Sequence, residues 1–274
     1  MLNVSLNLHH LVKKDYIIPA IGGRLGNNLF MIAHAYAKGL EYNKQVVVYK
    51  PHVQYHGNDY SQNIFRNIEF IDVYDDSGVH NPPKPVDHKH TLYVGYYQSE
   101  IYFEKYSEII KDLFGPPPEF VERIKNELPF IFNKRVTVIN VRKGDYLHSP
   151  NYHPTVSPEY INKAISLIPN TEQYLIASDD LDWCKENIDI DGAIYLEGWE
   201  PHEQLWILSM CHHFIISNSS FSWWAAYLSK AIDKIVIAPQ TWFGPEYPGS
   251  WERIYCKGWT ILPTYFNNGF ILPK

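Results

Sequence analysis

Arg142, Lys143 and Asp145 stand together in Asn140-Val141-Arg142-Lys143-Gly144-Asp145-Tyr146, directly after an almost unbroken β-branched run, Val136 to Val141. Such a run reads as a strand buried on both faces. Ligands of open α/β sheets sit in the crevice beyond the carboxyl ends of the strands. An arginine there offers a planar fork of donors to phosphate or carboxylate oxygens. The segment implies an anionic ligand, phosphorylated or nucleotide-bearing. Taken alone, the same residues would also serve as an Arg–Asp pair closing a loop.

Two further polar clusters follow strands in the same way. Ser178-Asp179-Asp180 succeeds Tyr174 to Ala177, and Asn218-Ser219-Ser220 with Ser222 succeeds Phe214 to Ser217. In a parallel sheet these positions share one rim. A helix from Phe221 would set its positive end beside Ser219 and Ser220, which suits phosphate. Asp179 or Asp180 could accept hydrogen bonds from a ribose or base. Helix capping accounts for each cluster singly, but not for an arginine-bearing cluster on the same rim. Asp180-Leu181-Asp182 also has the Asp-x-Asp form that holds Mg²⁺ or Mn²⁺ on a diphosphate; Asp189-Ile190-Asp191 repeats it elsewhere. Asp145, His153 and Glu159 lie beyond the first strand as candidate general bases. Asp145 would equally orient Arg142, and Glu159 would equally favour a helix N-terminus.

A glycine-rich turn, Gly22-Gly23-Arg24-Leu25-Gly26-Asn27-Asn28, opens the chain's first strand–helix unit. It lacks the Gly-x-Gly-x-x-Gly pattern, and no Gly-Lys-Ser/Thr follows, so dinucleotide and P-loop readings fail. The glycines imply a tight turn or close ligand approach, with Asn27 and Asn28 reaching into that space.

Composition limits the alternatives. The chain has 274 residues, 45% hydrophobic, with net charge −6 and no long basic run. That argues against a nucleic-acid partner. No stretch approaches a membrane span, and Met1 to Asp15 lacks the order of a signal peptide. Cys184, Cys211 and Cys256 are far apart and odd in number, which suits free thiols in a reducing compartment. These features lead us to expect a soluble cytoplasmic protein, with room for peripheral membrane association; its oligomeric state is not legible. The 21 Tyr and 8 Trp suit either a large aromatic core or carbohydrate binding.

Apolar spacing predicts strands at 16–21, 45–49, 92–97, 136–141, 174–177, 193–196, 214–217 and 234–238. Helices alternate with them, at about 29–40, 101–114, 119–128, after Ser157, and at 181–187, 203–211 and 221–229. Alternation of this kind argues for parallel sheets covered on both faces. Pro19 suggests an edge strand or a bulge. Residues 56–87 read as loops and short elements, and Gly115-Pro116-Pro117-Pro118 breaks the chain. We set domains at 1–130 and 131–274, with the last residues packing back on the first.

In order, these segments resemble glycosyltransferase family 11, the α-1,2-fucosyltransferases. Gly22 to Phe30 is similar to that family's Gly-Gly-x-Leu-Gly-Asn-Gln-Leu-Phe, and Gly95-Tyr96-Tyr97-Gln98-Ser99-Glu100 with Tyr102-Phe103 to its Gly-Tyr/Phe-x-Gln-Ser-x-x-Tyr-Phe. Asn140 to Tyr146 resembles His-x-Arg-Arg-Gly-Asp-Tyr, and Asn218 to Ala226 resembles Asn-Ser-Ser-Phe-Ser-Trp-Trp-Gly/Ala-Ala. The resemblance implies an α/β, GT-B-like fold, two Rossmann-type domains facing across a cleft, the first on the acceptor side and the second binding the donor. It also implies a GDP-fucose donor, a glycan acceptor ending in galactose, inversion at the anomeric carbon and no essential metal or other cofactor. Arg142, Asp145 and His153 become the catalytic candidates. Arg142, Lys143, Asn140, Ser178, Asp179, Asn218, Ser219, Ser220 and Ser222 become donor contacts, and Gly23, Gly26, Asn27 and Asn28 the sugar side. The chain departs from the family pattern at Asn140 (histidine), Lys143 (arginine) and Asn28 (glutamine). The rivals are a metal-dependent transferase using another nucleotide sugar and a non-catalytic carbohydrate-binding protein.

Overall fold

The protein is described from a computed structural model over residues 16–49, 59–71 and 91–264. The chain divides into two compact units, residues 1–114 and 115–274. The expected docking of the last residues, at 265–274, lies outside the described residues.

In the first unit, β1 (Tyr16–Pro19), β2 (Gln45–Tyr49), β3 (Glu69–Ile71) and β4 (Thr91–Tyr93) form a parallel sheet in the order β3-β2-β1-β4. Helix α1 (Leu25–Tyr42) crosses from β1 to β2 and buries Leu29, Ile32 and Ala33. The strand carrying Pro19 is central, not an edge. The proline costs the ladder nothing because it ends the strand, and Ala20 N–H resumes bonding to Tyr93 O at 2.9 Å.

The strand expected over 92–97 stops at Tyr93. Gly95 (φ 141°) and Tyr97 (φ 49°) leave the extended region, which ends a ladder. The helix expected from Ile101 begins as two 3₁₀ turns, Glu100–Tyr102 and Glu104–Tyr106, before α2 (Ser107–Phe114).

In the second unit, α3 (Pro118–Glu127) and α4 (Phe130–Asn133) precede a six-stranded parallel sheet. Its strands are β5 (Val136–Val141), β6 (Gln173–Ser178), β7 (Ile194–Tyr195), β8 (His213–Ile216), β9 (Val236–Pro239) and β10 (Thr260–Leu262), ordered β10-β9-β8-β5-β6-β7. The connecting helices are α5 (Pro158–Ile165), α6 (Leu181–Asn187), α7 (Pro201–Ser209) and α8 (Ser220–Leu228). Helix α3 belongs here through Phe120, edge-on to Trp206 at 5.0 Å, and through the Arg123–Glu203 ion pair.

Val136 to Val141 is buried at every position, as its composition requires for a central strand. Helix α8 is buried almost all round. Trp223, Trp224 and Trp242 are fully enclosed, so much of the tryptophan content is core. Cys211 is buried, and His213 opens β8.

Candidate functional site

Each sheet reverses its strand order once. In the second unit the chain leaves β5 for β6 and β7 on one side, then returns to lay β8 on the other. The crevice beyond the carboxyl ends of β5 and β8 is the topological switch point, where α/β sheets hold ligands. The Arg142 turn and the Asn218 turn flank it, and Ser217 N–H to Asn140 O (3.0 Å) ties them.

Arg142 is held by two carboxylates, Asp179 Oδ2 at 3.0 Å from Nη1 and Asp145 beside Nη2, with its guanidinium 5.3 Å from the centre of the Tyr146 ring. Asp179 also accepts the Lys143 N–H at 2.8 Å. A Cβ on Gly144 (φ 21°) would lie 2.1 Å from Asp179 Oδ2. Glycine is thus the residue that lets one carboxylate grip both neighbours of the turn. Tyr146 donates its hydroxyl to Asn218 O (3.2 Å) and stacks on His153 at 4.4 Å.

Ser219 is the N-cap of helix α8, and its side chain makes no capping bond. The first N–H groups and dipole of the helix therefore remain a match for an anion. Asn218 Nδ2 donates to Trp242 O at 2.9 Å. The Asn218 Oδ1 is buried with no hydrogen-bond partner, and so is His153 Nδ1. Burial holds the His153 imidazole below its usual range, with Asp145 opposing and Arg142 adding to the shift. It is neutral near pH 7, the form a base needs.

Three expected donor contacts turn inward instead. Lys143 is 2% exposed. Its ammonium lies 3.3 Å from Thr155 Oγ1 and Val156 O and 3.6 Å from the centre of the Trp183 ring. Burial lowers its pKa to about 8, against the pull of Cys184, Asp180 and Asp179. Asn140 Nδ2 donates to Ala177 O (3.0 Å), and its Oδ1 accepts from Ser222, which also pairs with Ser217 at 3.2 Å. These side chains brace the two turns from beneath, because a strand buried on both faces gives Asn140 no solvent to face.

Ser178 and Asp180 cap α6: Ser178 Oγ accepts Asp180 N–H (3.0 Å), and Asp180 accepts Trp183 N–H at 3.1 Å. Glu159 is fully exposed and bonds Ser157, so it serves the start of α5. Among the described residues no three His, Cys, Asp or Glu side chains converge as metal ligands.

In the first unit the switch point lies between β1 and β4, and the two sequence motifs on its rim interlock. Gln98 Nε2 donates to Asn27 Oδ1 at 2.7 Å. Phe30 meets Phe103 at 6.3 Å, and His34 stacks on Tyr97 at 3.9 Å with Tyr93 and Tyr102 edge-on. Gly23 (φ 77°) sits so close to Asn27 that a Cβ would meet its Nδ2 at 2.5 Å. Gly26 and Asn28 are buried in α1, and Asn28 Oδ1 is a buried acceptor with no partner. Burial, then the Lys38 charge, lowers His34 to about 4.

Sequence reasoning passed over His34, Trp183 and Tyr160, whose buried hydroxyl bonds Ile216 O (2.8 Å), at the carboxyl end of β8, and Ile237 O (3.1 Å), within β9. Tyr160 sits on the apolar stripe of its helix, and spacing alone does not separate an aromatic that braces a rim from one that fills a core.

Two parallel-sheet units, each with its polar side chains at the switch point, define an α/β protein of the GT-B class. The fold resembles that of the fucosyltransferase NodZ from Bradyrhizobium, with TM-score 0.53 and 12% identity over 78% of this chain and 91% of that one. The chain belongs to glycosyl transferase family 11, whose profile matches residues 43–263. It is 29% identical over 181 residues to the α-1,2-colitosyltransferase of Escherichia coli, covering 59% of this chain and 62% of that protein. It is 31% identical over 114 residues to galactoside α-(1,2)-fucosyltransferase 2 of Rattus norvegicus, covering 38% and 32%. The chain thus spans less than two thirds of the length of these curated relatives. Among the described residues no helix is long and apolar enough to cross a membrane.

Proposed function

We propose that this protein transfers L-fucose from GDP-fucose to a hydroxyl of a glycan acceptor, α-1,2 onto galactose, with inversion and without an essential metal. The observation that carries the reading is Arg142 at the switch point of the second sheet, gripped by Asp179 and Asp145 and joined through Tyr146 to the turn that starts α8. The family and the α-1,2 linkage in the names of both relatives support it.

In this mechanism the acceptor hydroxyl attacks the anomeric carbon as the diphosphate leaves. Negative charge grows on the departing oxygens. The guanidinium and the first N–H groups of α8 are fixed in advance to meet it, and preorganised charge is the usual main source of catalysis. A permanent cation in that position supplies what a divalent ion would otherwise provide. Asp145 and His153 are the bases within reach of the same turn. His153, neutral and stacked against Tyr146, takes the proton of the attacking hydroxyl.

The test is incubation with GDP-fucose and a panel of galactosides, with and without excess EDTA, and NMR assignment of the product linkage. An α-1,2 product with unchanged rate in EDTA is expected. A β-linked product, or loss of activity restored by Mn²⁺, would sink the stereochemical or the metal-free part. The Escherichia coli relative motivates a second reading, in which the transferred sugar is colitose; competing the two nucleotide donors decides between them.

A further inference from the structure

We propose that the cavity between residues 148–153 and Glu246 is a subsite for a neutral hexose unit of the acceptor glycan. This inference rests on the glycosyl-transfer reading above and adds a position for the second substrate within the second unit. The cavity measures about 460 Å³ and is lined by His148, Ser149, Asn151, Tyr152, His153 and Glu246, with Pro150 completing the wall. Pockets of this size hold small ligands.

The walls are joined by design of the backbone. Gly244 N–H donates to Tyr152 O at 3.0 Å, and Glu246 N–H to Asn151 O at 3.2 Å. The Asn151 amide then donates to Glu246 Oε1 at 3.2 Å. The two segments approach so closely that a Cβ on Gly244 would stand 2.0 Å from Asn151 O. Only glycine permits this contact, so the cavity has a fixed shape rather than being a gap between loose loops.

Its chemistry selects among ligands. Glu246 is acceptor-only, whereas the Asn151 amide, the Ser149 hydroxyl and the His148 imidazole each supply donors and acceptors. Sugar hydroxyls are likewise both donors and acceptors. An anionic ligand would meet the Glu246 carboxylate. Tyr152 and His153 meet at 69°, so the two rings do not form a parallel slot that would sandwich a flat base. A puckered ring with hydroxyls on its rim suits the space better. The cavity also adjoins the chemistry: His153 forms one wall and stacks on Tyr146, over which Arg142 lies. A hexose held there has its hydroxyls beside the proposed base.

Saturation-transfer NMR with methyl β-galactoside, methyl β-glucoside and lactose, in the presence of GDP, tests the inference on the wild type and on Asn151→Ala and Glu246→Ala. GDP affinity is followed by calorimetry, and folding by thermal melting. We expect at least a tenfold loss of saccharide affinity in both variants, with GDP affinity within twofold. Unchanged saccharide affinity overturns the inference. So does a fall in GDP affinity instead, which would assign the cavity to the nucleoside. Binding of GDP with no binding of any of the three saccharides also overturns it while leaving the donor reading intact. Saccharide binding that is lost in the variants, in a protein that never binds GDP, would uphold the subsite and sink the donor reading.

Discussion

The two switch points occupy equivalent positions in two parallel sheets, yet they carry opposite chemistry. Beyond β1 and β4 the first unit presents glycines, the Asn27–Gln98 amide pair and a neutral His34 packed among tyrosines. Beyond β5 and β8 the second unit presents a guanidinium, two carboxylates and an uncapped helix start. The sheet fixes where a ligand can sit. The turn residues fix what kind of ligand it is. A neutral amide rim suits hydroxyls, whereas a guanidinium beside a helix N-terminus suits phosphate oxygens.

That contrast breaks if Arg142→Ala leaves turnover intact. We expect kcat/KM for GDP-fucose to fall by at least ~10²-fold, the scale of losing one preorganised charge-stabilising group, with an unchanged melting temperature. A more subtle lesion leaves Arg142 in place and removes its clasp. Gly144→Ala pushes a methyl into Asp179, and misaiming a catalytic group costs about 10- to 10²-fold; steady-state rates with retained circular dichroism measure it.

Lys143 sharpens the comparison through pH. Its amine titrates at about 8 when folded, against the 10.5 of an ordinary lysine. Between those values the unfolded chain binds the extra proton, so this group makes stability rise with pH, by at most about 1.4 kcal/mol per unit. Below pH 8 the buried ammonium is charged in both states and the slope vanishes. Denaturant titrations from pH 7 to 10.5 should show the rise in wild type and lose it in Lys143→Met. Over the same window kcat should decline in wild type, as the ammonium that ties the Arg142 turn to residues 155–156 loses its charge.

The smallest effect separates two adjacent glycines of the first unit. Gly23→Ala is expected to cost about 1–3 kcal/mol, the scale of left-handed strain, since its φ is 77° and its methyl would strike Asn27. Gly22→Ala, with open space around the new methyl, should stay within about 1 kcal/mol. Equal effects would show that the turn is not held by Asn27.

The parallel α/β character and the strand–turn position of Arg142 were legible because burial on both faces leaves an unbroken apolar run, and polar residues can appear only where it ends. The inward fate of Lys143, Asn140 and Ser222 was not. A polar residue in a motif looks the same whether it meets a ligand or satisfies a buried carbonyl, and the partners here, Val156 O and Ala177 O, are backbone atoms that no side-chain pattern announces. The early end of β4 was hidden for a related reason. Tyr97 is a good strand residue by propensity, but stacking on His34 holds it at a positive φ. Strand β10 went unseen because three residues give no period to read.

The strands shorten from the middle of each sheet outward. Inner β5 and β6 have six residues each, whereas the outermost β3, β4 and β10 have three and β7 has two. Among the described residues, then, each lateral border exposes only a rung or two of unpaired backbone. A neighbouring molecule finds too short a template to extend the ladder. Such tapering gives copies of the protein little backbone to pair with edge to edge.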